Sequence, residues 1–353
     1  MKISNNFLII DLILFIRFMK TASLCGLSAG EISTLAGIDQ SIAVKISNSI
    51  YKKGIGDLSL LPGISKKVRT ELMSSFKSGI YRPSSSVSSS DGTVKYLFRN
   101  EKGLEFETVF LSDEKRKTVC VSSQSGCRMG CPFCATGKYG FRGDLEAGDI
   151  VNQVISIPER DIVTHVVFMG MGEPLDNIDN VLKVCDILTA EWGLALSPRN
   201  ITVSTVGLVP GIKRFLSESE CNLTLSLYSP FPDERIAIVP AEKHNPALGI
   251  IEMLKVFPLK KKRRISIAYV MIRGKNDTDV HLSELRNMLH GSRIRVNLLP
   301  YHMVPGDPDI SSSPETMMKF KHELVVSGIS ASIRKSKGTD VSAACGLLAA
   351  GLR

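Results

Sequence analysis

The sequence predicts an α/β protein, a partial (β/α)6 barrel preceded by a small helical unit, and three observations predict it. Six short β-rich runs, at 118–122, 162–169, 201–206, 222–228, 265–272 and 294–299, alternate with segments of helical periodicity. Strands that recur between helices pair in parallel and build βα units. The runs are dominated by apolar residues, as strands covered on both faces are. A serine-rich run, Pro83 to Gly92, then sets this series apart from a more helical N-terminal part.

The elements follow in order. The apolar stretch from Phe7 to Met19 is interrupted by Asp11 and Arg17. It is too short to span a bilayer and lacks the small-residue cleavage site of a signal peptide. It reads as a buried or amphipathic helix of a cytoplasmic protein with no membrane association. Ile42 to Tyr51 has helix-like spacing, and Leu61-Pro62-Gly63-Ile64-Ser65 is a tight turn leading into a second helix from Lys66 to Phe76. With Lys66, Lys67 and Arg69 at its start, this pair is expected to form a helix–hairpin–helix-like unit. Such a unit can offer backbone N–H groups to a phosphate; a plain helical bundle fits equally. The boundaries expected are a helical RNA-binding accessory domain over 1–80, a linker over 81–94, a barrel core over 95–335, and a tail over 336–353. Within the core, Ile150, Val151, Val154 and Ile157, then Val181, Val184 and Leu188, then Leu285, Met288 and Leu289 mark apolar helix faces.

Composition narrows the class. The chain has 353 residues, a net charge of +9 and 43% hydrophobic residues. That is ordinary for a globular protein and room for one large domain with a small companion. The positive charge suits a polyanion such as RNA. Eight cysteines without a secretory signal argue against a disulfide framework.

Three of those cysteines carry the strongest signal. Cys127, Cys131 and Cys134 stand at C-x3-C-x2-C spacing, with Phe133 just before the last. Three thiolates in one loop can hold three corners of a 4Fe–4S cluster and leave the fourth iron open. An open iron can chelate the amino and carboxylate groups of S-adenosylmethionine. A closed zinc or iron–sulfur site would need a fourth donor, for which Cys120 is available, while no His precedes His165. The loop directly follows the first predicted core strand, and barrel chemistry gathers at the C-terminal ends of strands. The second strand ends in Met169-Gly170-Met171-Gly172-Glu173-Pro174, where glycines permit close backbone approach and Glu173 can accept from the cofactor's ammonium. Ser204-Thr205, Ser226 with Tyr228, and Asn276-Asp277 close later strands and can reach the ribose or carboxylate, though each also suits a cap or turn. Lys260 to Arg264 is a basic run suited to a phosphate backbone. Cys345 lies in a small-residue tail, Ala343-Ala344-Cys345-Gly346.

Taken together, Cys120 to Cys127, the Met-Gly-Met-Gly-Glu-Pro loop, Ser204-Thr205-Val206-Gly207 and the Ala-Ala-Cys-Gly tail resemble one family. It is the radical S-adenosylmethionine methyltransferases that modify a 23S rRNA adenosine at C2 or C8. The resemblance runs from about residue 95 to the C-terminus, and more loosely over the helical part. It implies a radical-SAM-type barrel, with Cys127, Cys131 and Cys134 as cluster ligands. Gly172, Glu173, Ser204, Ser226, Leu227, Tyr228 and Asn276 match cofactor-contacting positions. Cys345 is implied as the cysteine that becomes S-methylated, Glu107 as a base, and Cys120 as the thiol that resolves a protein–RNA adduct.

Two cofactor molecules per turnover are implied, because adenine C2 and C8 are too weakly nucleophilic to displace a sulfonium methyl. The first methylates the Cys345 thiolate, which can do displacement chemistry. The second, cleaved at the cluster, provides the radical that takes hydrogen from the S-methyl group. The methylene then joins the adenine carbon, a base removes the ring proton, and Cys120 attacks the Cys345 sulfur. That frees the methylated base and leaves a disulfide to be reduced. The resemblance also implies a reductant protein such as flavodoxin, a monomer, and transfer RNA adenosine as a second substrate. Three positions depart from the family: Tyr228 for a frequent His, Leu347 for Gln, and Thr339 for an acidic residue. Glu173-Pro174 is similar to the C2 branch, whereas Ile267 to Met271 and Ser226 to Pro230 are similar to the C8 branch. C2 is the expected target; the alternative is C8, or a different radical SAM modification of RNA.

Overall fold

The computed structural model describes residues 22–259, 263–304 and 308–349. The apolar run 7–19 and Lys260, Lys261 and Lys262 of the basic run lie outside the described residues. Arg263 of that run does not face a partner freely: its guanidinium donates to the Leu216 and Phe215 carbonyls and lies over the Phe215 ring.

Ten strands form one sheet in chain order. They are β1 (Ser85–Ser88), β2 (Val94–Arg99), β3 (Glu105–Ser112), β4 (Lys117–Val121), β5 (His165–Phe168), β6 (Ile201–Thr205), β7 (Asn222–Ser226), β8 (Ile265–Met271), β9 (Arg295–Pro300) and β10 (Ala331–Ile333). From β4 to β10 every pair is parallel. All six runs expected as strands are strands of this parallel series. Helices α5 (Ala147–Ile155), α6 (Ile178–Thr189), α7 (Val209–Glu218), α9 (Ala247–Val256), α10 (Asp279–Leu289) and α11 (Pro314–Val326) provide the crossovers. They carry the apolar positions expected of them: Val181, Val184 and Leu188 on α6 and Leu285, Met288 and Leu289 on α10 are buried.

The sheet departs from a six-stranded expectation at both ends. The parallel series has a seventh strand, β10. At the other edge β1, β2 and β3 continue the sheet antiparallel onto β4. The serine-rich run is therefore not a loop. Ser85–Ser88 pairs with residues 94–97 while all four of its side chains face solvent. A strand so exposed draws its stability from the ladder, so it carries no apolar alternation to betray it.

The N-terminal unit comprises α1 (Ala29–Ala36), α2 (Gln40–Tyr51) and α3 (Lys66–Ser75), with Ala22–Ser23 pairing Phe76–Lys77 to close it. Ser28 caps α1 in a capping box with Glu31, and Ser65 caps α3. The unit meets the core at α5 through two glycines. A Cβ on Gly26 would fall 2.4 Å from the Gly148 backbone nitrogen, so the contact requires glycine. Arg160 then donates to the Tyr51 and Lys52 carbonyls, and Tyr51 packs on Trp192.

Candidate active site

The C-terminal ends of β4, β5, β6, β7 and β8 converge on one region. After β4, Ser122 turns the chain: its hydroxyl donates to the Glu107 carbonyl and accepts from the Met171 N–H at 2.8 Å. Gln153 of α5 holds both the N–H and the carbonyl of Ser122. This turn brings the cysteine loop beside the loop after β5. Gly172 sits at φ +96°, and a Cβ there would lie 2.5 Å from the Gln124 side chain, so both the conformation and the space demand glycine. Gln124 accepts from the Glu173 N–H at 2.9 Å and donates to Asp144 and Asp176, and Arg128 bridges the same two carboxylates. This polar clasp between the two loops was not foreseen from sequence, since its members are spread over more than fifty residues.

The three loop cysteines share one neighbourhood. Burial raises Cys127 to about 12 and raises Cys131 too, the latter with further pressure from Cys134 and Cys127. Neutral thiols are the natural state of these groups without a cation; a metal cluster would deprotonate them. The Met129 N–H points at the Cys127 sulfur at 3.5 Å, the kind of contact that stabilises a ligating thiolate. Apolar side chains surround the loop: Cys131 packs with Tyr228, Val239, Ile272 and Tyr301, and Met129 and Phe133 lie against them. Among the described residues no three donors converge to hold a single ion. A cubane does not ask them to, because each thiolate binds its own iron. The donor set and its apolar wall therefore fit a three-thiolate 4Fe–4S cluster.

The other expected cofactor positions are strand ends. Glu173 is fully buried, and burial lifts its carboxyl to about 7 against the opposing bonds from Thr205, Val206 and Leu175. Its oxygens accept the Val206 N–H at 2.9 Å and the Leu175 N–H at 3.0 Å; with the Thr205 hydroxyl also bonded, one acceptor site of the carboxylate remains. Ser204 and Ser226 hydroxyls lie 3.4 Å apart. Leu227 is buried in the core, and its backbone serves the site, its N–H bonded to Ala268 and its carbonyl to Arg235. Tyr228 is held at φ +66° and stacks on Phe133 with ring centroids 6.1 Å apart. Asn276 is fully buried, and its amide is engaged with the Tyr228 and Val270 carbonyls and the Ile272 N–H. It fastens two strand ends together, and the cap of α10 falls to Thr278 instead.

Arg235 is a further site element that sequence reasoning missed. This residue of α8 (Pro232–Ile238) is fully buried and paired with Glu242. Its guanidinium donates to the carbonyls of Leu227, Ser226 and Val206. One fork thus gathers the ends of β6 and β7.

The tail returns over the cysteine loop. The N–H of Ala135, next to Cys134, donates to the carbonyl of Gly346, next to Cys345, at 2.8 Å. Thr136, on the short helix α4 (Ala135–Tyr139), donates to the Leu348 carbonyl. Cys345 keeps an open face to solvent, although its thiol sits deep enough that burial raises it, with Arg334 pulling it down. Cys120, buried on β4, is raised by burial and then by the Cys345 thiol nearby. Glu107, on β3, is 6% exposed. One of its oxygens accepts the Ala349 N–H at 3.0 Å and the other pairs with Lys95 at 3.2 Å. The expected catalytic trio and the expected cluster ligands, more than two hundred residues apart at the extremes, thus meet in one place.

Comparison with known proteins agrees with this geometry. Residues 121–285 match the radical SAM superfamily. The chain is 43% identical to the probable dual-specificity RNA methyltransferase RlmN of Parabacteroides distasonis, over 92% of this chain and 96% of that protein. It is 43% identical to the protein of the same description in Phocaeicola vulgatus, over 93% and 95%. A radical SAM methyltransferase crystal structure from Sphaerobacter thermophilus superposes with a TM-score of 0.86 at 36% identity, covering 93% of this chain and 99% of that one. The fold and cysteine loop are thus those of a radical S-adenosylmethionine enzyme. The chain belongs to the RlmN family of RNA methyltransferases within that superfamily. It is an S-adenosylmethionine-dependent RNA methyltransferase that uses a 4Fe–4S cluster.

Proposed function

We propose that this enzyme methylates C2 of an adenosine in 23S rRNA, and an adenosine of transfer RNA, through an S-methylated Cys345. The observation that carries the reading is the Ala135–Gly346 hydrogen bond at 2.8 Å, which fixes the Cys345 turn against the Cys134 end of the cluster loop. Cys127, Cys131 and Cys134 would hold the cluster. With S-adenosylmethionine bound, the cluster supplies one-electron chemistry able to activate a C–H bond, and the sulfonium supplies the methyl group.

The chain's own residues do the rest. Glu173, with an acceptor site to spare beyond its two backbone donors, orients the amino group of the cofactor. The backbone of Ser226, Leu227 and Tyr228, drawn together by Arg235 and Asn276, lines the cradle with Gly172 and Ser204. Cys345 gives up its proton to become the methyl-accepting thiolate, a change that Arg334 favours. Glu107, held by Lys95, takes the ring proton once the Ala349 N–H is released. Cys120, beside Cys345, provides the second thiol that frees the product. That step leaves a Cys120–Cys345 disulfide, which an external two-electron reductant returns to the thiols, and an electron-transfer protein such as flavodoxin would supply the cluster's electron.

Exposed Lys66 and Lys67 at the start of α3, together with the positive net charge, support RNA contact by the N-terminal unit. Among the described residues no helix is long and apolar enough to cross a membrane, in keeping with work on RNA in the cytoplasm. The test uses reconstituted enzyme, reductant, S-adenosylmethionine and a 23S rRNA fragment or transfer RNA, with the digested nucleosides resolved by mass spectrometry. The reading expects 2-methyladenosine. An 8-methyladenosine peak would move the enzyme to the other branch, and 5′-deoxyadenosine release without a methylated base from either RNA would refute the substrate.

A further inference from the structure

The turn joining β1 to β2 grips the tail that carries Cys345. Asp340 lies in a short turn, Thr339–Val341. One of its oxygens accepts the Ser89 hydroxyl at 2.6 Å. The other accepts the Ser90 N–H at 3.1 Å and the Ser90 hydroxyl at 3.3 Å. The grip is returned from the other side, since Asp91 accepts the Gly338 N–H at 2.9 Å. Its second oxygen is spent within the turn, on the Thr93 N–H. Lys337 adds a third point, donating to the Ser112 carbonyl at 2.6 Å and pairing with Asp113.

The packing leaves little slack. Gly338 sits at φ +63°, and a Cβ there would lie 2.8 Å from both Thr93 and Ala343 side-chain atoms. Ser342, three residues before Cys345, is held in the left-handed region at φ +52°. A serine there is strained, and such conformations persist only where their surroundings over-determine them. What surrounds it is the grip on 337–340 behind and the Ala135–Gly346 and Thr136–Leu348 hydrogen bonds ahead. The strained turn bearing Cys345 is thus suspended between two fixed points.

We propose that the β1–β2 turn is a docking clasp for the C-terminal tail, with Asp340 as a positioning residue that sets where the Cys345 thiol stands. This explains why three antiparallel strands extend the sheet beyond its parallel series: they carry the clasp to the tail. It also gives the exposed, serine-rich sequence a task, since hydroxyls and a free N–H are what a carboxylate needs. The positioning role rests on Cys345 being the methyl acceptor; the clasp itself does not.

The test compares Asp340→Ala and Asp340→Asn with the unaltered protein. Hydrogen exchange of the 338–346 amides, followed in the cluster-free protein, reads the clasp directly. Loss of the charge-assisted bonds of Asp340 is expected to speed that exchange about tenfold in Asp340→Ala, with a smaller change in Asp340→Asn, which keeps an acceptor oxygen. Exchange in β4 to β9 should not move. In the reconstituted enzyme, Asp340→Ala should release 5′-deoxyadenosine within about twofold of normal while RNA methylation falls about tenfold, as a misplaced acceptor predicts. A general loss of structure would depress both together. Unchanged exchange at 338–346 would overturn the clasp, and equal loss of both activities would overturn the positioning role. If Cys345→Ala still methylates RNA, the acceptor reading fails, and the exchange result still decides the clasp on its own.

Discussion

Replacing the buried Arg235 with Met should be strongly destabilising although it touches no reacting atom. The substitution keeps much of the side chain's length and apolar stem but removes every donor. Three carbonyls, those of Val206, Ser226 and Leu227, lose their guanidinium partner, and the buried Glu242 keeps the Ala247 N–H. Breaking a buried pair by removing one member costs about 3–5 kcal/mol, and each orphaned buried acceptor about 1–3 kcal/mol. These costs overlap, so the loss expected is roughly 4 kcal/mol.

Arg235→Lys keeps the charge but cannot span all four acceptors, and should fall between the two at about 2 kcal/mol. Arg235→Met combined with Glu242→Leu removes both charges and should recover part of the loss. Urea unfolding of the cluster-free protein under anaerobic reducing conditions measures all three, with the midpoint moving and the slope held. A cost below about 1 kcal/mol for Arg235→Met, or a double variant as unstable as the sum of the singles, would refute the view that this fork holds the two strand ends.

Two further outcomes follow from the site. Glu173 has its carboxyl raised by burial to about 7, above its unfolded value, so the folded protein binds the proton more tightly than the unfolded chain. Its contribution is therefore present below about pH 4.5 and lost as pH rises toward 7, by roughly 3 kcal/mol. Glu173→Gln should flatten the stability of the cluster-free protein between pH 5 and 7.5, and an unchanged profile in urea midpoints would contradict this. Gly172→Ala should abolish S-adenosylmethionine binding in the reconstituted enzyme while the far-UV spectrum stays near normal, because the added Cβ meets Gln124 at 2.5 Å; binding within threefold of normal by calorimetry would count against the close approach.

Much of this architecture was legible in the sequence, and the exceptions share a cause. The parallel strands announce themselves because both faces are covered, so His165–Phe168 and Ile265–Met271 are rich in apolar residues. The strand Ser85–Ser88 does not, since none of its side chains is buried and its pairing is written only in backbone hydrogen bonds. The cysteine loop was readable because three thiols suited to one cluster fall within eight residues. Gly172 was readable because a close backbone approach tolerates no side chain.

Arg235 and Lys95 were not readable. An arginine in Pro-Asp-Glu-Arg looks like part of a solvated helix, and only the fold brings Val206, Ser226 and Glu242 around it. Lys95 likewise acquires meaning only from the register that sets residue 97 opposite Glu107 and from the tail that covers the pair. Asn276 was expected at the cofactor, and its amide also bonds three backbone groups, a task that spacing cannot reveal, because a strand-end amide serves either purpose.

The most direct test of the central claim pairs Cys120→Ala with Cys345→Ala in the presence of RNA, reductant and S-adenosylmethionine. Cys120→Ala, lacking the resolving thiol, should accumulate a covalent protein–RNA species that migrates slowly on a denaturing gel and maps by peptide mass spectrometry to Cys345. Cys345→Ala should form neither adduct nor methylated adenosine. Methylated adenosine from Cys345→Ala, or an adduct mapping to another residue, would contradict that claim.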